Sequence, residues 1–123
     1  MYFIEVLGRI FLSLIFLLAG VGKIFNYEGT IDYMESFGVP GYLLVPAIII
    51  EILLPLLVIV GYKTKLASII LSLFAILLAI IFHTDFSNQM QLMSFLKNFA
   101  IAGGFLIIFV RGAGKYSMDQ LLK

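Results

Sequence analysis

The sequence has 123 residues, 63% of them hydrophobic and 12% charged, with one histidine, no cysteine and a formal net charge of +1. A soluble domain of this length has too small an interior to hide that much apolar surface, so the solvent is largely lipid. Nothing forms a basic nucleic-acid face, the absence of cysteine excludes disulfides, thiolate zinc sites and iron–sulfur clusters within the chain, and His83 alone excludes bis-histidine haem ligation in one copy.

Four apolar runs are long enough to cross a hydrocarbon core of roughly 30 Å at about 1.5 Å per residue. The first is Ile4–Phe25. It is read as a span and not as a cleaved leader, because its charge lies inside the apolar run and no basic segment precedes it. At about 100° per residue, Arg9, Ser13, Phe16, Gly20 and Lys23 fall on one narrow arc. The loop that follows, NYEGTIDYMESFGVPGY, has Ile31, Met34 and Phe37 at helical spacing, with Asp32, Glu35 and Ser36 on the other side. Gly38 suits the position after a helix and Pro40 bars continuation. This predicts either a short amphipathic helix on the membrane surface or an ordered loop packed over the bundle.

The second span, Leu43–Gly61, carries Glu51 about eight residues in. A tight turn, YKTK, leads to the third span, Leu66–His83, where Ser68, Ser72, Ala75 and Ala79 form a small-residue stripe that His83 continues. Such stripes let membrane helices approach closely. The fourth span, Leu92–Arg111, places Lys97, Gly104 and Arg111 on one face with Asn98 beside it. Arg9 and Arg111, near the opposite ends of their helices from Lys23 and Lys97, suit lipid headgroup anchoring, and Glu5 lies one turn from Arg9.

Short turns make neighbouring helices antiparallel, so the expected fold is an all-α membrane protein: one domain, 1–123, folded as an antiparallel four-helix bundle with a short amphipathic helix in the first loop. Lys63, Lys65, Lys115 and Lys123 lie on the side of the termini, which places both termini in the cytoplasm.

With alternating directions, Lys23, Glu51, His83 and Lys97 all belong to the outer half of the membrane. A charge at a span's centre costs about 2.5–3.5 kcal/mol on insertion scales. Glu51 therefore needs a cation, and Lys97 is the expected partner. Two lysines against one glutamate leave a surplus charge for a snorkelling lysine, a descending loop carboxylate, or an anionic or carbonyl-bearing ligand. Lys23, Glu51, His83, Lys97 and Asn98 thus form the candidate polar pocket, with Arg9 and Arg111 polar at the other end and no metal site expected.

These residues also carry a resemblance. The segments GRIFLSLIFLLAGVGKIFNYEGTIDYMESFGVP, GYKTKLASIILSLFAILLAIIFH and QMQLMSFLKNFAIAGG, with Glu51 between the first two, keep the order GR, AGxxK, GxP, E, H, KN, GG. In this the chain resembles the DoxX family of small four-span bacterial membrane proteins. The resemblance implies a bacterial inner-membrane protein in a group that includes subunits of quinone-linked oxidoreductases, such as thiosulfate:quinone oxidoreductase. A quinone-associated accessory subunit is the function it implies. A small-anion binding or transport module, and a structural subunit of a larger complex or homo-oligomer, stand beside it. No intrinsic cofactor is expected, and a reacting quinone would take its electrons from a partner.

Overall fold

The computed structural model describes residues 2–114 and 116–122. The helices are α1 (Tyr2–Phe25), α2 (Tyr27–Ser36), α3 (Leu44–Val60), α4 (Thr64–Phe82), α5 (Gln89–Arg111) and a final turn, α6 (Met118–Leu121), with a 3₁₀ turn at Gly41–Leu43 before α3. Four of them are long and apolar enough to span a membrane. The expected spans agree with them closely, except that the fourth helix starts at Gln89 and not near Leu92. Asn88 explains the earlier start: its side-chain oxygen accepts the N–H of Met90 at 2.9 Å and caps α5.

The helices pack in the order α1, α3, α4, α5, most extensively between α4 and α5 and between α1 and α3, while α1 and α5 touch only lightly. The two faces predicted on α1 and α4 are the ones that meet neighbours. Arg9, Ser13 and Phe16 are buried on α1, as are Ser68, Ser72, Ala75 and Ala79 on α4. Ser72 also donates its hydroxyl to the Ala102 carbonyl of α5 at 3.0 Å. Between these faces lies a core of Phe16, Val58, Leu71, Ala102 and Phe105. Ala79 is 0% exposed. Ala79→Leu should therefore overpack the contact by about 1–3 kcal/mol and lower the melting temperature in detergent; an unchanged melting temperature would mean that the stripe has room to spare.

The face predicted on α5 is corrected by the structure. Its buried line runs through Ala102 and Phe105, with Asn98 half-buried, while Lys97 and Arg111 are exposed. At about 100° per residue, Lys97 lies nearly a quarter-turn from Phe105 and so falls off the packed face. The two bulky and small residues that meet α4 set the helix's rotation, and the charged residues follow.

The tight turn at the terminal end depends on backbone that a side chain would obstruct. Gly61 ends α3 with φ 77°, and its N–H reaches the Leu57 carbonyl at 2.8 Å. A Cβ there would also collide with Ser117 and Arg9. The segment after α5 folds back onto this turn. Asp119 accepts the N–H groups of Lys63 at 2.7 Å and Thr64 at 2.9 Å, and returns its own N–H to the Gly61 carbonyl at 2.8 Å. Burial pushes the Asp119 carboxyl up, but the bonds from Thr64 and Lys63 outweigh it and hold the group below the usual carboxylate range.

Arg9 belongs to the same clasp. It is 3% exposed, donating Nη1 to the Val58 carbonyl at 3.1 Å and Nη2 to the Tyr116 carbonyl. Val58 lies in the last turn of α3, where its carbonyl also accepts the Gly61 N–H at 3.2 Å. Arg9 is therefore a buried cap that joins α1, α3 and the tail, and not a headgroup anchor. Arg111 is exposed at the end of α5, as an anchor requires.

Candidate functional site

At the loop end, Lys23 closes onto Glu51. Lys23 Nζ donates to both carboxylate oxygens, at 2.7 and 2.8 Å. Glu51 is 1% exposed and Lys23 26%. The pairing expected for Lys97 is thus made by Lys23, on the helix that packs against α3. Gly20 is what permits it. A Cβ at that position would come within 2.8 Å of Ile52 Cγ1 and 3.2 Å of Glu51 Cβ, so the glycine lets α1 and α3 approach one turn before Lys23.

Pro55 adds a second local feature. It lies inside α3 four residues after Glu51 and is buried. Proline has no N–H for the carbonyl at i−4, so the Glu51 backbone carbonyl loses its ordinary helical donor. Side chain and backbone acceptor of one residue are therefore both out of the usual helical pattern at this depth. The LLP tripeptide after Glu51 was the signal that could have revealed this, had the proline been read by its i−4 consequence.

Lys23 and Glu51 sit at the polar end of a cavity of about 410 Å³ lined by residues of α1, α2, α3 and α4. Its walls are apolar, with Leu44, Ile50, Phe74, Leu78 and Ile81 among them. Leu43 of the 3₁₀ turn and Leu77 of α4 line it too while being 42% and 52% exposed, so the lining reaches the outside of the bundle. The lid is α2, whose Thr30, Tyr33 and Met34 face the cavity. Met34 is buried at 7% exposure. The amphipathic helix expected in the first loop thus exists, and it covers the bundle with its apolar side. Tyr33, Phe37 and Phe82 fasten it to the end of α4, with ring centroids 5.0 to 5.5 Å apart.

Of the sequence-predicted pocket residues, Lys23, Glu51 and His83 line this one cavity. His83 sits where α4 ends, its Nδ1 3.0 Å from the Gln91 side-chain oxygen. Lys97 and Asn98 do not line it. Lys97 instead borders an open groove on α5 with Gln89, Met90, Met93 and Ser94. It is about 12 Å along the helix from Gln89 by rise, on the exposed side of α5. Sequence reasoning missed Thr30, Tyr33, Met34 and Phe74, because apolar and aromatic wall residues look the same as core until the lid is placed.

Chemically, the site is a largely apolar slot with a hydrogen-bonded ion pair in its lining. Lys23 has three donor hydrogens and Glu51 accepts at two oxygens, which leaves donor capacity for a further acceptor. Lipid-soluble molecules with a carbonyl-bearing head match that combination.

Comparison with known proteins finds a family and two membrane-protein relatives. The DoxX family model matches residues 4–84. The chain is 39% identical over 115 residues to inner membrane protein YqjF of Escherichia coli (strain K12), covering 94% of this chain and 88% of that protein. It is 30% identical over 121 residues to inner membrane protein YphA of the same organism, covering 93% and 86%. No solved structure matches it.

Proposed function

The chain belongs to the DoxX family, and from that premise we propose that it is an inner-membrane accessory subunit that holds a quinone-type molecule beneath α2 for a partner oxidoreductase. The observation that carries this reading is the cavity of about 410 Å³, largely apolar along its walls and charged where Lys23 meets Glu51. That volume lies in the range of small-molecule sites, roughly 300–1,000 Å³. Its exposed lining at Leu43 and Leu77 suits entry of a ligand from the bilayer. Conversion of a quinone to its quinol takes two electrons and two protons: the electrons come from the partner's reductant, and Lys23 and Glu51 serve as hydrogen-bonding and proton-handling groups at the ring oxygen. The small-anion alternative loses its main support, because Lys97 is not in the cavity and the remaining lysine is already neutralised by Glu51.

The test is an inventory of quinone in protein purified from membranes in mild detergent. Organic extraction and mass spectrometry should find quinone close to one per chain. Ala47 lines the cavity, and Ala47→Phe should fill it and remove the quinone while the bundle stays folded. Absence of quinone from the wild-type protein, or the same content in Ala47→Phe, would sink the reading.

The same proposal sets both termini and the Lys63 turn in the cytoplasm, with Asp32 and Asp85 outside, because Lys63, Lys65, Lys115 and Lys123 all lie on the terminal side. Single cysteines at positions 32, 63 and 85 should label from outside intact cells at 32 and 85 only. External labelling at 63 would reverse the orientation.

A further inference from the structure

At the terminal end, a second cavity of about 540 Å³ lies between the start of α4, the end of α5 and the folded-back tail. Among the described residues, this end of the bundle carries four cationic side chains: Arg9, Lys63, Lys65 and Arg111. Arg9 is buried in the clasp. The other three all line the cavity, from two different helix ends and the turn between α3 and α4. Charges placed only to bias orientation need not converge on one concavity; these do.

We propose that this cavity binds the phosphate of an anionic phospholipid headgroup. The charge balance fits an anion. Among the described residues, Asp119 is the one carboxylate that lines the cavity, and its oxygens already accept the N–H groups of Lys63 and Thr64. Three cations against one engaged carboxylate leave a surplus of positive charge facing the cavity. The closeness of the two helix ends also fits. A Cβ at Gly112 would lie 3.5 Å from Lys65 Cε, so the Lys65 stem already rests against the backbone beside Arg111. The position selects a lipid over a dissolved anion. The cavity sits where two candidate spans terminate, at Thr64 and Arg111, which is headgroup depth. Leu66 lines it and is 58% exposed on the membrane-facing side of the same helix turn, offering an apolar strip for the acyl chain. Arginine and lysine are the expected partners for such a phosphate.

The experiment uses the purified full chain in mild detergent, titrated with short-chain phosphatidylglycerol, short-chain phosphatidylcholine or inorganic phosphate. Melting temperature and native mass spectrometry are the two readouts. Phosphatidylglycerol should raise the melting temperature and be retained as a one-to-one adduct, while phosphatidylcholine should do neither. Each cation removed should weaken the response roughly fivefold, so Lys65→Gln/Arg111→Gln should bind phosphatidylglycerol about thirty-fold more weakly. Lys65 and Arg111 are exposed, so the variant should melt like the wild type without lipid; Lys63→Gln, tested alone, gives the single-charge effect independently. An equal response to inorganic phosphate would keep the phosphate site but assign it to a dissolved anion. No response to phosphatidylglycerol or phosphate, an equal response to phosphatidylcholine, or an unweakened response in the charge variants would overturn the proposal.

Discussion

Lys23→Met and Glu51→Gln should each destabilise the bundle by about 3–5 kcal/mol, and the double variant should recover much of that loss. The expectation follows from the desolvation of the pair. Glu51 is 1% exposed, and its two oxygens are held by Lys23 at 2.7 and 2.8 Å. Removing the lysine strands a carboxylate in an apolar cavity; removing the carboxylate strands an ammonium that is only partly exposed. Replacing both leaves a shape of similar volume with no charge to desolvate. Equilibrium unfolding of the single and double variants in mixed micelles measures the coupling. Strictly additive losses would show that the two side chains do not act as a pair. Lys97→Met is the control. Lys97 is exposed on α5 away from the cavity, so its substitution should change stability by no more than about 0.5 kcal/mol. Gly20→Ala probes the same pair through the backbone, since its Cβ would push against Ile52 and Glu51.

Span positions, helical class and the internal faces of α1 and α4 were legible from the sequence because each rests on local periodicity. Arg9, Ser13, Phe16, Gly20 and Lys23 share an arc whatever surrounds them, and a polar arc on a membrane helix has few places to go except inward. The partner of Glu51 was not legible in the same way. Depth alone admitted Lys23 and Lys97 equally, and the choice turns on which helix packs beside α3. That adjacency is a property of the assembled bundle: α1 is close to α3 because Gly20 allows it, and α5 is drawn to α4 by Ser72, Ala102 and Phe105. Arg9 was misassigned for a related reason. A basic residue near a helix end looks like a headgroup anchor unless a distant segment folds over it, and the segment that does so lies more than a hundred residues away. The lid was half legible, since the periodicity of Ile31, Met34 and Phe37 defines an amphipathic helix but does not say what its apolar side covers.

Arg9→Met should loosen the tail and lower stability by about 2–4 kcal/mol, from the loss of two charge-assisted hydrogen bonds. The Arg9 guanidinium bridges the Val58 and Tyr116 carbonyls, so one substitution removes a bond to the end of α3 and a bond to the segment after α5 together. Arg9→Lys should restore only part of the loss, because an ammonium lacks the planar fork that reaches two separate acceptors. Asp119 still ties the tail to the turn. Its carboxyl titrates lower in the folded chain than in the unfolded one, so its contribution is complete above the unfolded value of about 3.9 and is lost as pH falls through the folded value. Acidification below about pH 4 should therefore loosen the tail in Arg9→Met before it does so in the wild type. Limited proteolysis, with cleavage sites read by mass spectrometry, distinguishes this from general unfolding: cuts should appear first between residues 112 and 122 while the four long helices stay protected. Cleavage at the same rate and places in Arg9→Met and wild type, with unchanged melting temperature, would show that the tail is held without the arginine.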